Sequence, residues 1–410
     1  MEAAYTVDNL DEHTFIVAAI LSKQVTSPRA RIIYHSTPDL QKKFPHRAGP
    51  VLPLLPVSTE EIGLTTKPPG RAGVPGPQFI LRGVKRIFDA KALYAQLVIT
   101  DDCNLSCGYC NEYIPGAAPI PLPILQARVD TLDSLGVLVY DLLGGEPLLH
   151  PDLVPLLRYM KARRHDNIVV LITNGFLLTV QKVAALNDAG LDLMQISVDS
   201  IVPTTSSHKA LKTVLPKLRM LAREARFTVK VQSVLTAQTY LQYDEFRRLL
   251  ADLPFDFGFS LLHAPGGHIA IQGEHYVRLL AEHDLFAGMR LYRQHAEEML
   301  RGDDSRAWKC LGGSKFLYVN AAGEVQFCSQ NREFCKPLQD LTMADLRANN
   351  RHKACEPGCA LGCARLVSHA LGAPLKTLHT SLTLVSRIRP QAPPLTPLPA
   401  PVTSVEAPGC

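Results

Sequence analysis

Residues 95–110 read AQLVITDDCNLSCGYC, an apolar run ending at Ile99 followed at once by Cys103, Cys107 and Cys110 at CxxxCxxC spacing. Three thiols on one short loop suit an iron–sulfur cluster better than a disulfide or a zinc site. A [4Fe–4S] cube ordinarily takes four cysteines, so a loop with three leaves one iron without a protein ligand. Structural zinc sites use CxxC pairs separated by longer gaps and close a tetrahedron, which this loop alone does not complete. For the spacing taken alone, the bland alternative is three unrelated buried cysteines.

Outward from this loop, strand and helix patterns alternate from Ala92 to about Gln272. The apolar strand candidates are AQLVIT, VLVYDLL, IVVLIT, LDLMQISV, FTVKVQSVL and DFGFSLL, with helical candidates between them. Leu211, Leu215, Leu218 and Leu221 keep helical spacing, and Pro216 is expected to kink or restart that helix. Six strands with crossover helices imply an α/β fold with a parallel sheet covered by helices.

In parallel βα architectures chemistry gathers at the carboxyl ends of the strands, and the polar motifs fall there. The cysteine loop follows the first strand, Gly144, Gly145, Glu146 and Pro147 the second, and Thr173, Asn174 and Gly175 end the third. On the fourth, period-two alternation puts Gln195, Ser197 and Asp199 on one face. Gln232 holds a comparable position on the fifth. Adjacent glycines let backbone approach a ligand without a Cβ in the way. Each motif alone reads equally well as a turn, or as polar residues satisfying backbone groups. The sixth strand runs into HAPGGH, where His263 and His268 are candidate substrate contacts or proton carriers, although such histidines more often only pack a loop.

The chain has 410 residues, enough for one large domain with smaller ones, and 46% apolar with 20% charged residues permits a sizeable core. A net charge of +5, with no basic run interleaved with aromatics, argues against a nucleic-acid partner. No apolar stretch reaches the roughly 18 residues a membrane helix needs, so no membrane partner is expected and the reading is cytoplasmic. Residues 1–91 are an ill-defined extension, with eight prolines between Pro45 and Pro77 and no clear helix-turn-helix pattern. Residues 273–307 read as one or two amphipathic helices, a connector. The proline-rich stretch 389–410 reads as a disordered tail in which Cys410 is incidental.

Sulfur returns further along. Cys310, Cys328, Cys335, Cys355, Cys359 and Cys363 lie within 54 residues, and FLYVNAAGEVQFC reads as a hairpin turning at Ala321 to Gly323. This density argues for a second metal site in a region spanning 308–388, with a zinc knob as the alternative.

CNLSCGYC resembles the cluster loop of the radical S-adenosylmethionine (radical SAM) enzymes, CxxxCxΦC with an aromatic at Φ, here Tyr109. Read as that family, GGEP, TNG and SVDS follow in the family's order over about 170 residues. The resemblance implies a partial (β/α)6 barrel over 92–272. It implies a [4Fe–4S] cluster on Cys103, Cys107 and Cys110, with S-adenosylmethionine held around Tyr109, Gly144, Gly145, Glu146, Ser197 and Gln232. Reductive cleavage of that cofactor to a 5′-deoxyadenosyl radical, and hydrogen abstraction from a small-molecule or peptide substrate, would follow, with an electron donor such as flavodoxin or ferredoxin.

Cys310, with Gly323 four intervening residues ahead of Cys328, resembles the opening of the SPASM and twitch extensions, which carry auxiliary [4Fe–4S] clusters. The closing CxxxCxxxC departs from the longer SPASM pattern. One auxiliary cluster on Cys310, Cys328, Cys359 and Cys363 is therefore expected, with Cys335 and Cys355 as further ligands of it or of a second. Such a cluster would pass an electron from the substrate radical, making the net reaction an oxidation, or anchor the substrate directly. The molybdenum-cofactor cyclases share the core but end in paired glycines, whereas this sequence closes on Pro408, Gly409 and Cys410. The rival from another class is a non-catalytic iron–sulfur redox sensor or scaffold, which accounts for the cysteines but not for GGEP, TNG and SVDS in order.

Overall fold

The structure, a computed structural model, describes residues 77–108, 110, 113–205, 207–283, 285, 290–303 and 308–372. Tyr109, the expected tail at 389–410 and most of the expected N-terminal extension lie outside the described residues.

Strand β1 (Tyr94–Thr100) alternates its side chains between two faces, as a pleated strand must. Ala95, Leu97 and Ile99 are fully buried on the outer face. The other strands repeat the pattern: β2 (Val139–Gly144), β3 (Ile168–Thr173), β4 (Leu193–Ser197), β5 (Thr228–Leu235) and β6 (Asp256–Leu261). They pair in parallel, in chain order. Crossover helices α2 (Leu122–Leu135), α3 (Leu153–Arg163), α4 (Val180–Ala189) and α5 (Leu211–Glu224) cover the outer face, followed by α6 (Ala237–Leu241) and α7 (Tyr243–Leu250). Leu125, Val129 and Leu132 of α2, and Leu156, Leu157 and Met160 of α3, join the strand residues in one apolar core. At roughly 25 cal/mol per Å² of apolar surface removed from water, this layer is the main source of the fold's stability.

Of the kink or restart expected at Pro216, the restart does not occur, for α5 runs as one helix from Leu211 to Glu224 with Pro216 inside it. Proline forfeits one helical hydrogen bond, but the burial of Leu211, Val214, Leu215, Leu218 and Leu221 on the sheet holds the helix through it.

One feature departs from the sequence reading and another adds to it. Within the segment expected to be ill-defined, helix α1 (Pro77–Phe88) forms, with Phe79 fully buried and Arg86 Nε donating to Gly136 O at 2.8 Å. The sulfur-rich hairpin read from the sequence forms, and it joins the core sheet. Strand β7 (Phe316–Val319) pairs in parallel with β1, Tyr94 opposite Phe316 through Leu97 opposite Val319. β8 (Glu324–Gln326) and β9 (Cys335–Pro337) then add antiparallel strands. The result is a nine-stranded sheet in the order β6-β5-β4-β3-β2-β1-β7-β8-β9. Its edges β6 and β9 do not pair with each other, so the barrel is open.

Helices α8 (Glu274–Glu282) and α9 (Arg290–Leu300) connect the sixth strand to the hairpin, and the short α10 (Met343–Ala348) precedes the last cysteine run. Helix α11 (Gly362–Gly372) packs into the concave side. Its Ala364, Val367 and Leu371 meet Val98, Val139, Phe316 and Tyr318 in a second apolar cluster.

Candidate functional site

The cysteine loop leaves the end of β1 and is fixed at both of its ends. Asp102 N–H donates to Thr100 Oγ1 at 3.1 Å, Ile114 N–H to Asp101 O at 2.9 Å, and Gly116 N–H to Asp102 Oδ1 at 2.9 Å. Within it Cys107 is buried, Cys103 half-buried and Cys110 exposed. Burial pushes the Cys103 thiol up, opposed by the Leu105 N–H donated to its sulfur at 3.4 Å.

Gly144 and Gly145 serve the chain itself. A Cβ on Gly144 would lie 2.0 Å from Thr100 O, and one on Gly145 2.2 Å from Asp102 O. Gly145 N–H donates to Thr100 O and Glu146 N–H to Asp102 O, each at 2.8 Å. The two glycines thus let the second strand's turn lie backbone to backbone against the start of the cysteine loop, a contact the sequence reading gave to a ligand.

Glu146 has no exposed surface. Its Oε1 accepts from Thr173 Oγ1 at 2.5 Å and Leu148 N–H at 3.0 Å, and its Oε2 from Asn174 N–H at 2.8 Å. Burial raises its pKa and these donors pull it back. The carboxylate is a clamp between the GGEP and TNG turns. Asn174 extends that clamp, its Nδ2 donating to Asn104 Oδ1 at 2.9 Å in the cysteine loop. On the other side Cys107 Sγ lies 3.5 Å from Ser207 Oγ, which donates to Asp199 Oδ2 at 2.6 Å. The motifs after strands one to four are therefore one connected polar unit. Asn104, Asp199 and Ser207 are its members that sequence reasoning left without a role, since Asn104 and Ser207 are joined to the rest across 70 and 100 residues of chain and Asp199 only through Ser207.

Ser197 and Gln232 are neighbours across β4 and β5. Gln232 Nε2 donates to Ser260 Oγ at 3.1 Å, while its buried Oε1 has no protein partner. An amide oxygen of this kind is an acceptor available to a bound molecule. Deeper inside, Asp141 takes hydrogen bonds from Tyr94 Oη and from Gln96 Nε2 at 3.3 Å, and burial pushes its carboxyl up to about 6.

A second site forms beyond β7. Cys310, Cys328, Cys355 and Cys359 line one small cavity with Trp308, Phe327, Asn331, Lys353, Glu356 and Leu361. Three segments distant in sequence, 308–310, 327–331 and 353–361, meet there. Glu356 Oε1 accepts Cys310 N–H at 2.7 Å and Lys353 N–H at 3.0 Å, Lys353 Nζ donates to Cys310 O at 2.8 Å, and Trp308 Nε1 donates to Glu356 O at 2.9 Å. Burial drives the Cys328 thiol up to about 11 and that of Cys359 up to about 12, and raises Cys310. Among the described residues no three Cys, His, Asp or Glu side chains converge on one ion-sized point. The four thiols surround a space, which fits a polynuclear cluster in its donor chemistry.

Of the expected auxiliary set, the structure brings Cys310, Cys328 and Cys359 together and adds Cys355. Cys363 is not among the cavity's lining. It sits in α11, its thiol 3.9 Å from Gln96 Oε1 on the barrel's inner face. Cys335 is exposed on β9, 4.0 Å from Gln326 Nε2. His268 pairs through its backbone with Cys359, and its Nδ1 lies 2.9 Å from Pro357 O, so it braces the last cysteine run. Among the described residues His263 Nδ1 lies 3.1 Å from the neighbouring Ala264 O.

The model of the radical SAM superfamily matches residues 97–253. A GTP 3′,8-cyclase of Synechococcus sp. (strain WH7803) is 39% identical over 117 residues, 26% of this chain and 33% of the cyclase. An AdoMet-dependent heme synthase of Oleidesulfovibrio alaskensis is 25% identical over 286 residues, covering 60% of this chain and 72% of the synthase. The crystal structure of Streptococcus suis SuiB bound to S-adenosylmethionine shares the fold at a TM-score of 0.50 and 14% identity, covering 65% of this chain and 68% of SuiB. The chain spans between a third and three-fifths of the length of the first curated relatives it matches.

Proposed function

The chain carries a radical SAM domain over residues 97–253, and from that premise we propose an enzyme that uses S-adenosylmethionine to oxidise a small-molecule or peptide substrate held in the open barrel, with an auxiliary iron–sulfur site beside it. When bound, the loop cluster and its cofactor supply a 5′-deoxyadenosyl radical and the auxiliary group a one-electron redox site.

The chain's own residues account for the rest. Cys103, Cys107 and Cys110 present three thiolates from a loop that the GGEP and TNG turns hold in place. Ser197 and Gln232 offer a hydroxyl and a free amide oxygen to the cofactor on the barrel's inner face. At the auxiliary site the ligand set is Cys310, Cys328, Cys355 and Cys359. The side of the barrel left open between β6 and β9 is the route for substrate, and a low-potential protein such as flavodoxin or ferredoxin is the electron donor. Domain limits of 92–272 for the core and 308–388 for the sulfur-rich unit belong to the same reading.

The observation that carries it is the hydrogen-bonded unit joining the cysteine loop to GGEP, TNG and the turn after β4. A redox sensor or scaffold needs a cluster but gives no use for that unit. The cyclase and synthase activities belong to relatives matched over part of their length or at low identity, and they leave the substrate open.

The test is anaerobic reconstitution of the full chain with iron and sulfide, followed by a reduced assay for 5′-deoxyadenosine. Changing Cys103, Cys107 and Cys110 to Ala abolishes its formation while auxiliary iron stays. Changing Cys355 removes the auxiliary iron and Cys363→Ala retains it. Undiminished 5′-deoxyadenosine in the triple variant would sink the assignment of the loop, and loss of auxiliary iron from C363A with retention in C355A would restore Cys363 as ligand.

A further inference from the structure

Asn331 lies between two of the four cavity cysteines and touches both. Its backbone N–H donates to Cys328 Sγ at 3.3 Å, and its side-chain Nδ2 donates to Cys355 Sγ at 3.0 Å. The two cysteines come from segments 27 positions apart, one closing the hairpin and the other opening the final run. The orientation of the amide is fixed by a third bond, because Glu333 N–H donates to Asn331 Oδ1 at 2.9 Å. A backbone N–H cannot face an amide nitrogen favourably, so the NH2 end is the one turned toward sulfur. The other donors on the cavity sulfurs are backbone N–H groups: Gly312 at 3.4 Å from Cys310 Sγ, Gln330 on Cys328 and Leu361 on Cys359. Among the described residues Asn331 therefore supplies the side-chain N–H at this site.

Cluster potentials depend on hydrogen bonds to the ligand sulfurs, since a donor withdraws charge from sulfur and favours the more negative, reduced state. Resting on the auxiliary-site reading above, we propose that Asn331 is a positioning residue that pins the thiolates of Cys328 and Cys355 to one another and raises the reduction potential of the cluster they hold. In an oxidation of substrate this makes the site a better one-electron acceptor. The reaction balance is unchanged, for Asn331 exchanges no proton or electron.

The experiment compares the anaerobically reconstituted full chain with its Asn331→Asp and Asn331→Ala variants. Iron and sulfide per chain are measured, and the auxiliary signal, which added S-adenosylmethionine does not shift, is followed by electron paramagnetic resonance in a redox titration. Asn331→Asp keeps the shape and the bond from Glu333 but replaces the donor to sulfur with an oxygen. It is expected to retain its iron and to lower the reduced-to-oxidised ratio at fixed potential on the order of tenfold, about 59 mV for a one-electron couple. Asn331→Ala moves the same way by less. Midpoints matching the wild type, or loss of auxiliary iron from both variants, would overturn the proposal while leaving the auxiliary site standing. A wild-type chain that assembles the iron of one cube only removes the auxiliary site itself and the proposal with it.

Discussion

Replacing Gly145 by Ala tests whether the glycine pair exists for the cysteine loop. The added Cβ would sit 2.2 Å from Asp102 O, 2.6 Å from Asp102 C and 2.7 Å from Asp101 O, against an ordinary contact of 3.4 Å or more. Relief requires the turn and the loop to part by about 1.2 Å, the difference between those contacts for Asp102 O. Nothing flexible can yield, because the clashing atoms are all backbone. Parting them strains or breaks the 2.8 Å bonds from Gly145 N–H to Thr100 O and from Glu146 N–H to Asp102 O. Overpacking costs about 1–3 kcal/mol and each backbone bond about 1 kcal/mol, so a loss of about 3–5 kcal/mol is expected. Displacing a reactive centre by about 1 Å costs on the order of a hundredfold in rate. The assay is 5′-deoxyadenosine formation in the reconstituted chain, with the urea unfolding midpoint read alongside. Gly372→Ala, with no atom within 4 Å of the new Cβ, is the control. Wild-type cleavage and stability in G145A would refute the reasoning.

Two further substitutions probe the buried carboxyls. Glu146→Ala strands the Thr173 hydroxyl and the N–H groups of Leu148 and Asn174, costing about 3 kcal/mol or more; an unfolding midpoint equal to wild type would show that the clamp carries no load. Asp141 has a folded pKa of about 6 against about 3.9 unfolded, so the folded chain binds more protons between those values and stability falls as pH rises from 4 to 6, by about 3 kcal/mol. Asp141→Asn removes that slope, and parallel stability–pH curves for wild type and variant would contradict it.

The likeness to radical SAM enzymes was readable in the order of short motifs, and the structure's parallel strands carry them in that order. What the sequence could not show is how those motifs touch. GGEP and TNG are 28 residues apart at Glu146 and Asn174, and nothing in their spacing says that one carboxylate joins them. Helix α1 was hidden behind a proline-rich stretch whose composition overrode the Phe79, Gly83 and Arg86 spacing. Pro216 starts no new helix, because four buried leucines and Val214 hold α5 together around it.

By itself the sequence determined what depends on near neighbours: period-two strands, the helices between them, and three thiols on a loop too short to place them elsewhere. Partnership among distant side chains was decided by the tertiary structure. Cys355, Cys359 and Cys363 are evenly spaced and chemically identical, so spacing could not rank them. The turn before α11 puts Cys355 and Cys359 on the cavity with Cys310 and Cys328, and the helix sets Cys363 against Gln96 on β1, still within electrostatic reach of Cys328 and Cys359. Direction in space follows from how that helix packs on the sheet, and packing is a property of the whole chain.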